Sequence, residues 1–268
     1  TNVGKAHLLG FGSFEGVKKT KGELYDYLRR TSDKVFINAD NPHLCQMASE
    51  RNLQSDPERP YSLLIPYGLG YQKATVLPSS PDQPFLRISV SGKLVETNLV
   101  GSYNADNVMA AIAVGAQFGV SFDQAAAAIA AYVPSNNRSQ MVRTKLNTLI
   151  VDAYNANPTS MEAALKNFAS LQADHKAALL GDMLELGEDS IGEHIRVASL
   201  ALESGFETVC FVGKEFRKAV GQLSDTRALV FDTSADLALW LSEHPLAGFS
   251  CLIKGSRGTR MEKVIEML

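Results

Sequence analysis

The chain has 268 residues, 45% of them hydrophobic and 21% charged, with a formal net charge of -3. That length supports one or two domains with a sizeable core, and the composition excludes collagen-like, low-complexity and disordered classes. No run reaches the roughly 18 uncharged apolar residues of a membrane span, residues 1–20 lack the apolar core of a secretory signal, and the acidic balance argues against a nucleic-acid groove.

The first half opens with TNVGKAHLLGFG, which reads as a strand-end loop without its strand. Phe14–Arg29 is predicted helical, with Ser13 as N-cap. KVFIN (34–38) is predicted as a strand and Pro42–Arg51 as a helix. Residues 61–101 read as several short strands with turns at Gly68–Gly70, Pro78–Pro84 and Ser91-Gly92. Asp106–Phe118 and Phe122–Ala131 are alanine-rich helices separated by Gly119. The polar stretch Pro134–Asn137 is the natural linker. Residues 1–145 carry 15 basic and 12 acidic side chains and residues 146–268 carry 11 and 17, which also predicts two folding units.

The second half alternates more regularly. TLIVD (148–152), KAALLGD (176–182), TVCFVG (208–213), ALVFD (228–232) and SCLIK (250–254) read as short buried strands. Helical patterns follow each, the last being Thr259–Leu268. Five β–α units predict an α/β, Rossmann-like, doubly wound parallel sheet, with ligands beyond the carboxyl ends of its strands. Cys210 and Cys251 sit inside apolar strands, and with Cys45 they form no C-x-x-C pair. Unpaired thiols fit a reducing, cytoplasmic compartment.

Four segments carry candidate chemistry. Gly10–Gly16 fits a loose G-x-G-x-x-x-G, which serves a dinucleotide only if a strand ends just before it; otherwise it is a helix-entry loop. Asn104 and Asn107 share a helix face, as an N-cap or as an amide pair for a purine edge. Asp152-Ala153-Tyr154-Asn155 bridges a strand end and a helix start. Lys254-Gly-Ser256-Arg257 opens the last helix with glycine, hydroxyl and cations, the chemistry of an anion site. His7 and Lys21 are bland by themselves, and no G-x-x-x-x-G-K-[ST] loop occurs.

Taken together, TNVGKAHLLGFGSFEGVKKTKGE, INADN, GSYNADNVMAAIA, VDAYNANPTSM, LLGDMLELGEDS and IKGSRGTRMEKV resemble, in order, the Mur ligases of peptidoglycan synthesis. DAYNAN and GDMLELG resemble the subfamily that adds D-alanyl-D-alanine to UDP-N-acetylmuramoyl-tripeptide. The resemblance implies that residues 1–140 are the latter part of a central ATPase domain and 141–268 a C-terminal ligase domain. The family's P-loop would lie before Thr1, so a truncated chain, inactive by itself, is expected.

The resemblance also implies the cofactors ATP and Mg²⁺, an acyl-phosphate mechanism and a cytoplasmic monomer without nucleic-acid partners. It assigns His7 and a carbamylated Lys21 to the metal, and Asn104, Asn107, Arg138, Asp152, Tyr154 and Asn155 to the nucleotide. Lys254, Ser256 and Arg257 are assigned to the dipeptide. Rival readings are a folylpolyglutamate synthase-like ligase, a nicotinamide-dependent oxidoreductase using Gly10–Gly16, and a non-catalytic binding module.

Overall fold

The computed structural model describes every residue except 1, 5–7, 32–33, 54–63, 81–82 and 136. The chain divides into two compact units. Thr1–Pro78, Phe85–Asn98 and Ser102–Tyr132 form the first, and Ser79–Pro84, Leu99–Gly101 and Val133–Leu268 the second.

In the first unit, α1 (Leu8–Phe11) precedes α2 (Phe14–Thr31), whose entry is capped by Ser13 accepting from the Gly16 N–H at 3.0 Å. β1 (Val35–Asn38), α3 (Pro42–Glu50) and β2 (Leu64–Tyr67) follow, with β1 and β2 paired in parallel. Val17 and Tyr25 of α2 and Leu44, Met47 and Ala48 of α3 bury their apolar faces against Val35 and Ile37 of β1. β3 (Thr75–Val76), β4 (Arg87–Val90) and β5 (Lys93–Glu96) make a separate antiparallel sheet. The β4–β5 turn is Ser91-Gly92, with φ of 50° and 80°, the doubly left-handed turn that suits hairpin twist. α4 (Ala105–Gln117) and α5 (Phe122–Ala131) complete the unit, α5 starting in a capping box of Ser121 and Gln124.

The nicotinamide reading of Gly10–Gly16 fails here. Leu8 and Leu9 are helical, so among the described residues no strand ends directly before Gly10 to aim backbone N–H groups at a pyrophosphate. Asp40, the acidic residue just after β1 where such a motif would need a ribose partner, has its carboxylate engaged by the Gly70 and Tyr71 N–H groups at 2.7 and 3.1 Å.

The second unit is one six-stranded sheet. Its elements are β6 (Gln140–Arg143), β7 (Thr148–Asp152), α6 (Pro158–Ser170), β8 (His175–Gly181), α7 (Ser190–Glu203), β9 (Thr208–Val212), α8 (Lys214–Val220), β10 (Ala228–Phe231), α9 (Ser234–Glu243) and β11 (Phe249–Lys254). The spatial order is β10-β9-β8-β11-β7-β6, with every pair parallel except the β6–β7 edge. The chain steps outward from β7 to β10 and then returns, inserting β11 between β8 and β7. With right-handed crossovers, this reversal puts α6, α7 and α8 on one face and α9 on the other. Leu237 and Leu241 of α9, with Met261, Val264 and Leu268, cover Leu149, Val151, Leu179, Cys251 and Ile253. On the other face Phe211 of β9 meets Phe216 of α8, ring centroids 4.8 Å apart.

In the second unit the structure departs from the sequence pattern in two places. β6 is a strand although QMVR carries no clear strand pattern; pairing along β7 makes it one. The closing helix is not α. It consists of 3-10 turns at Arg257–Thr259 and Met261–Met267, separated by left-handed Arg260 (φ 51°). The tight turn seats Thr259 and Met261 over Gly181 and Gly255. A Cβ at Gly181 would lie 2.5 Å from Thr259 Oγ1 and 2.8 Å from Met261 Cγ.

Candidate functional site

The parallel pairing of β7 with β11 decides the site. Register aligns Asp152 with Lys254, so both loops that sequence singled out leave the sheet side by side at its carboxyl edge. Lys254 is 1% exposed. Its ammonium pairs with the Asp152 carboxylate and donates to the Asn155 carbonyl at 3.4 Å. A buried ammonium needs such partners, so this pair fastens the two strand ends together.

The 137–139 segment is tied to the same edge. The Ala153 N–H donates to the Asn137 carbonyl at 2.9 Å, and the Ser139 N–H donates to Asp152 Oδ1 at 3.2 Å. Asn137 and Ser139 are both left-handed, with φ of 56° and 48°, and Arg138 stands between them. Its guanidinium carbon lies 3.7 Å from the centroid of the Tyr154 ring, and that of Arg257 lies 5.7 Å from it. Arg138, Tyr154, Asn155 and Arg257 are exposed.

Ser256 is buried, and its hydroxyl accepts from the Leu184 N–H at 3.0 Å. Its own N–H donates to the Asp182 carbonyl at 3.1 Å. The structure thus brings together Arg138, Asp152, Tyr154, Asn155, Lys254, Ser256 and Arg257. Lys254 and Ser256 face inward as the frame, and both arginines face outward.

Sequence reasoning misses the role of Asp182, although its place at a strand end is a signal. Its carboxylate accepts from the Phe216 and Glu215 N–H groups at 2.8 and 3.1 Å, at the entry to α8. Burial raises its pKa above the usual carboxylate value. A Cβ at Gly213 (φ +119°) would fall 2.2 Å from Asp182 Oδ2, so the close approach requires glycine. Fully buried His194 accepts the Met183 N–H on Nε2 at 3.0 Å and donates from Nδ1 to the Ser190 carbonyl at 2.7 Å. Burial holds its pKa below the usual histidine value, so it is neutral and braces the 182–186 loop beneath Ser256.

In the first unit the Asn107 amide donates to Asn104 Oδ1 at 3.3 Å, which joins the expected amide pair. Asn104 makes no side-chain cap bond, so the capping reading is not the one realised. Exposed Lys21 donates to the Asn2 carbonyl at 3.1 Å. His7 lies outside the described residues. No group of three or more His, Cys, Asp or Glu side chains suited to a metal occurs among the described residues. A Lys21 ammonium repels a cation, so the described side chains do not by themselves constitute a magnesium site.

The Mur ligase middle domain family matches residues 1–115, and the Mur ligase glutamate ligase domain family matches residues 137–257. A curated UDP-N-acetylmuramoyl-tripeptide--D-alanyl-D-alanine ligase of Treponema pallidum is 30% identical over 272 residues, covering 100% of this chain and 57% of the relative. The MurF crystal structure from Acinetobacter baumannii superposes with a TM-score of 0.79 at 24% identity, covering 99% of this chain and 57% of that one. MurF from Thermotoga maritima in complex with ADP gives 0.77 at 20% identity, covering 99% and 60%. A folylpolyglutamate synthase of Mycobacterium tuberculosis fits less well, at 0.54 and 19% identity, covering 84% and 59%. The chain therefore spans rather more than half the length of the relatives it matches. Among the described residues no helix is long and apolar enough to cross a membrane. By these matches, which run through both units, the chain belongs to the Mur ligase family and carries its middle and C-terminal domain regions.

Proposed function

We propose that the chain serves an ATP-dependent amide ligase that adds D-alanyl-D-alanine to UDP-N-acetylmuramoyl-tripeptide, in the cytoplasm and as a monomer. The observation that carries this reading is the convergence of Arg138, Asp152, Tyr154, Asn155, Lys254, Ser256 and Arg257 at the carboxyl ends of β7 and β11. The division of labour is placed just after the linker, with residues up to about 140 belonging to the ATPase region and the rest to the ligase region.

In the proposed reaction the tripeptide carboxylate attacks the γ-phosphorus of ATP, giving an acyl phosphate and ADP. The dipeptide amine then adds to the acyl carbon, and the tetrahedral intermediate expels phosphate as the amide forms. Arg138 and Arg257 supply positive charge for the phosphoryl groups and the dipeptide carboxylate. Asn104 and Asn107 present amides to the base, while Asp152, Tyr154 and Asn155 line the nucleotide side. Magnesium, if it accompanies ATP, would offset charge on the phosphoryl groups, and His7 and Lys21 are the residues to test for holding it.

The experiment is ligation by the protein that carries this chain. ADP release that requires both UDP-N-acetylmuramoyl-tripeptide and D-alanyl-D-alanine is expected. Release with a folate and glutamate instead would overturn the reading in favour of the rival ligase. The 268 residues alone, holding no G-x-x-x-x-G-K-[ST] loop, are expected to release no ADP.

A further inference from the structure

Arg138 and Arg257 are the two outward cations of the strand-end cluster, and neither is paired with a described carboxylate. Both lie over one ring instead, with guanidinium carbons 3.7 and 5.7 Å from the Tyr154 centroid. Their backbones are fixed independently. Left-handed Asn137 and Ser139 and their bonds to β7 hold Arg138, while the Ser256 bonds to Asp182 and Leu184 hold the entry to Arg257. What remains adjustable is the two guanidinium groups. Gathering like charges is unfavourable, and the negative face of an aromatic ring offsets it. Among the described residues the Tyr154 hydroxyl has no hydrogen-bond partner, so the ring is the active part.

We propose that Tyr154 is a positioning residue whose ring gathers Arg138 and Arg257 into one clamp for a diphosphate-type anion. The inference rests on the nucleotide reading of Arg138 above and moves Arg257 from the dipeptide to the same anion, so that the two cations act as one unit. Each guanidinium offers a planar pair of donors suited to phosphate oxygens, and two gathered beside one another span adjoining phosphoryl groups.

The test is a titration of inorganic pyrophosphate into the ¹⁵N-labelled chain, following the arginine Nε–Hε resonances. In the parent and in Tyr154→Phe, the Arg138 and Arg257 resonances are expected to move along one saturation curve. In Tyr154→Leu, affinity should fall about fivefold and the two curves should separate. Tyr154 is 39% exposed, so the substitution is tolerable to the fold, and Trp240 fluorescence verifies it. Arg257→Gln provides a second arm, in which the Arg138 curve should weaken by a similar factor. Unchanged affinity in Tyr154→Leu, or an Arg138 curve indifferent to Arg257→Gln, overturns the clamp alone. If pyrophosphate moves neither arginine in the parent chain, the anion-site reading falls and the clamp with it.

Discussion

The second unit is one sheet of six strands with helices over both faces, whereas the described strands of the first are split between a parallel pair and a three-stranded antiparallel sheet. The contrast extends to the site residues. In the second unit, strand register alone carries Asp152 beside Lys254 and draws in the loops bearing Arg138, Tyr154 and Arg257. In the first, Lys21 and the Asn104–Asn107 pair stand on helices, and the bond described for Lys21 is to a backbone carbonyl. A sheet edge therefore assembles its chemistry as part of folding, and a helix surface leaves its chemistry to be completed by a ligand.

The sharpest way to break this comparison is a pair of matched substitutions. Lys254→Met removes a buried ammonium and strands the Asp152 carboxylate. It should cost the second unit about 3 kcal/mol or more, read by urea unfolding at Trp240. Lys21→Met removes an exposed side chain and should change stability by less than about 0.5 kcal/mol. Equal costs would remove the distinction between built-in and ligand-completed residues.

A smaller effect is expected at Gly181. Alanine there meets Thr259 Oγ1 and Met261, and the overpacking should cost about 2 kcal/mol, again in urea. Gly192, in α7 with nothing within 4 Å of an added methyl, should instead gain about 0.5–1 kcal/mol on becoming alanine. A neutral Gly181→Ala would mean that the closing turn is not pressed onto β8.

The pH dependence of the second unit gives the smallest signal. His194 is neutral when folded because burial lowers its pKa. As pH falls through about 6.5 the unfolded chain takes up a proton that the folded chain refuses, so stability falls. Asp182, whose pKa burial raises, acts in the opposite sense, since the folded chain keeps its proton to higher pH and gains stability as pH falls towards about 4. The difference between the parent and His194→Gln isolates the histidine. It should approach about 1 kcal/mol per pH unit below 6.5, in denaturant melts at several pH values. A difference that does not vary with pH would refute the neutral, buried histidine.

Much of this is legible in the sequence, and the reasons differ by element. The five strands of the second unit announce themselves as short apolar runs, because burial on both faces demands them. The strand ends then follow, and with them Asp152, Tyr154, Lys254 and Arg257. β6 is not legible, since an edge strand of QMVR takes its conformation from the partner it pairs with. The closing segment has helical spacing yet winds as 3-10 turns, because Thr259 and Met261 must pack over Gly181 of β8, which sequence does not place beside them. Lys254 reads as a ligand-facing cation in a glycine-rich loop, and only the β7–β11 register reveals that it faces inward. Gly10–Gly16 illustrates the converse, a motif entered from helix α1 and not from the strand that would give it meaning.

The most direct test of the nucleotide site is to titrate ADP into the ¹⁵N-labelled chain and map the amide shifts. Shifts are expected at Arg138, Asp152–Asn155 and Lys254–Arg257, the carboxyl edge of β7 and β11. Shifts confined to the opposite edge, near Thr148 and Phe249, or to Gly10–Gly16, would contradict the nucleotide site.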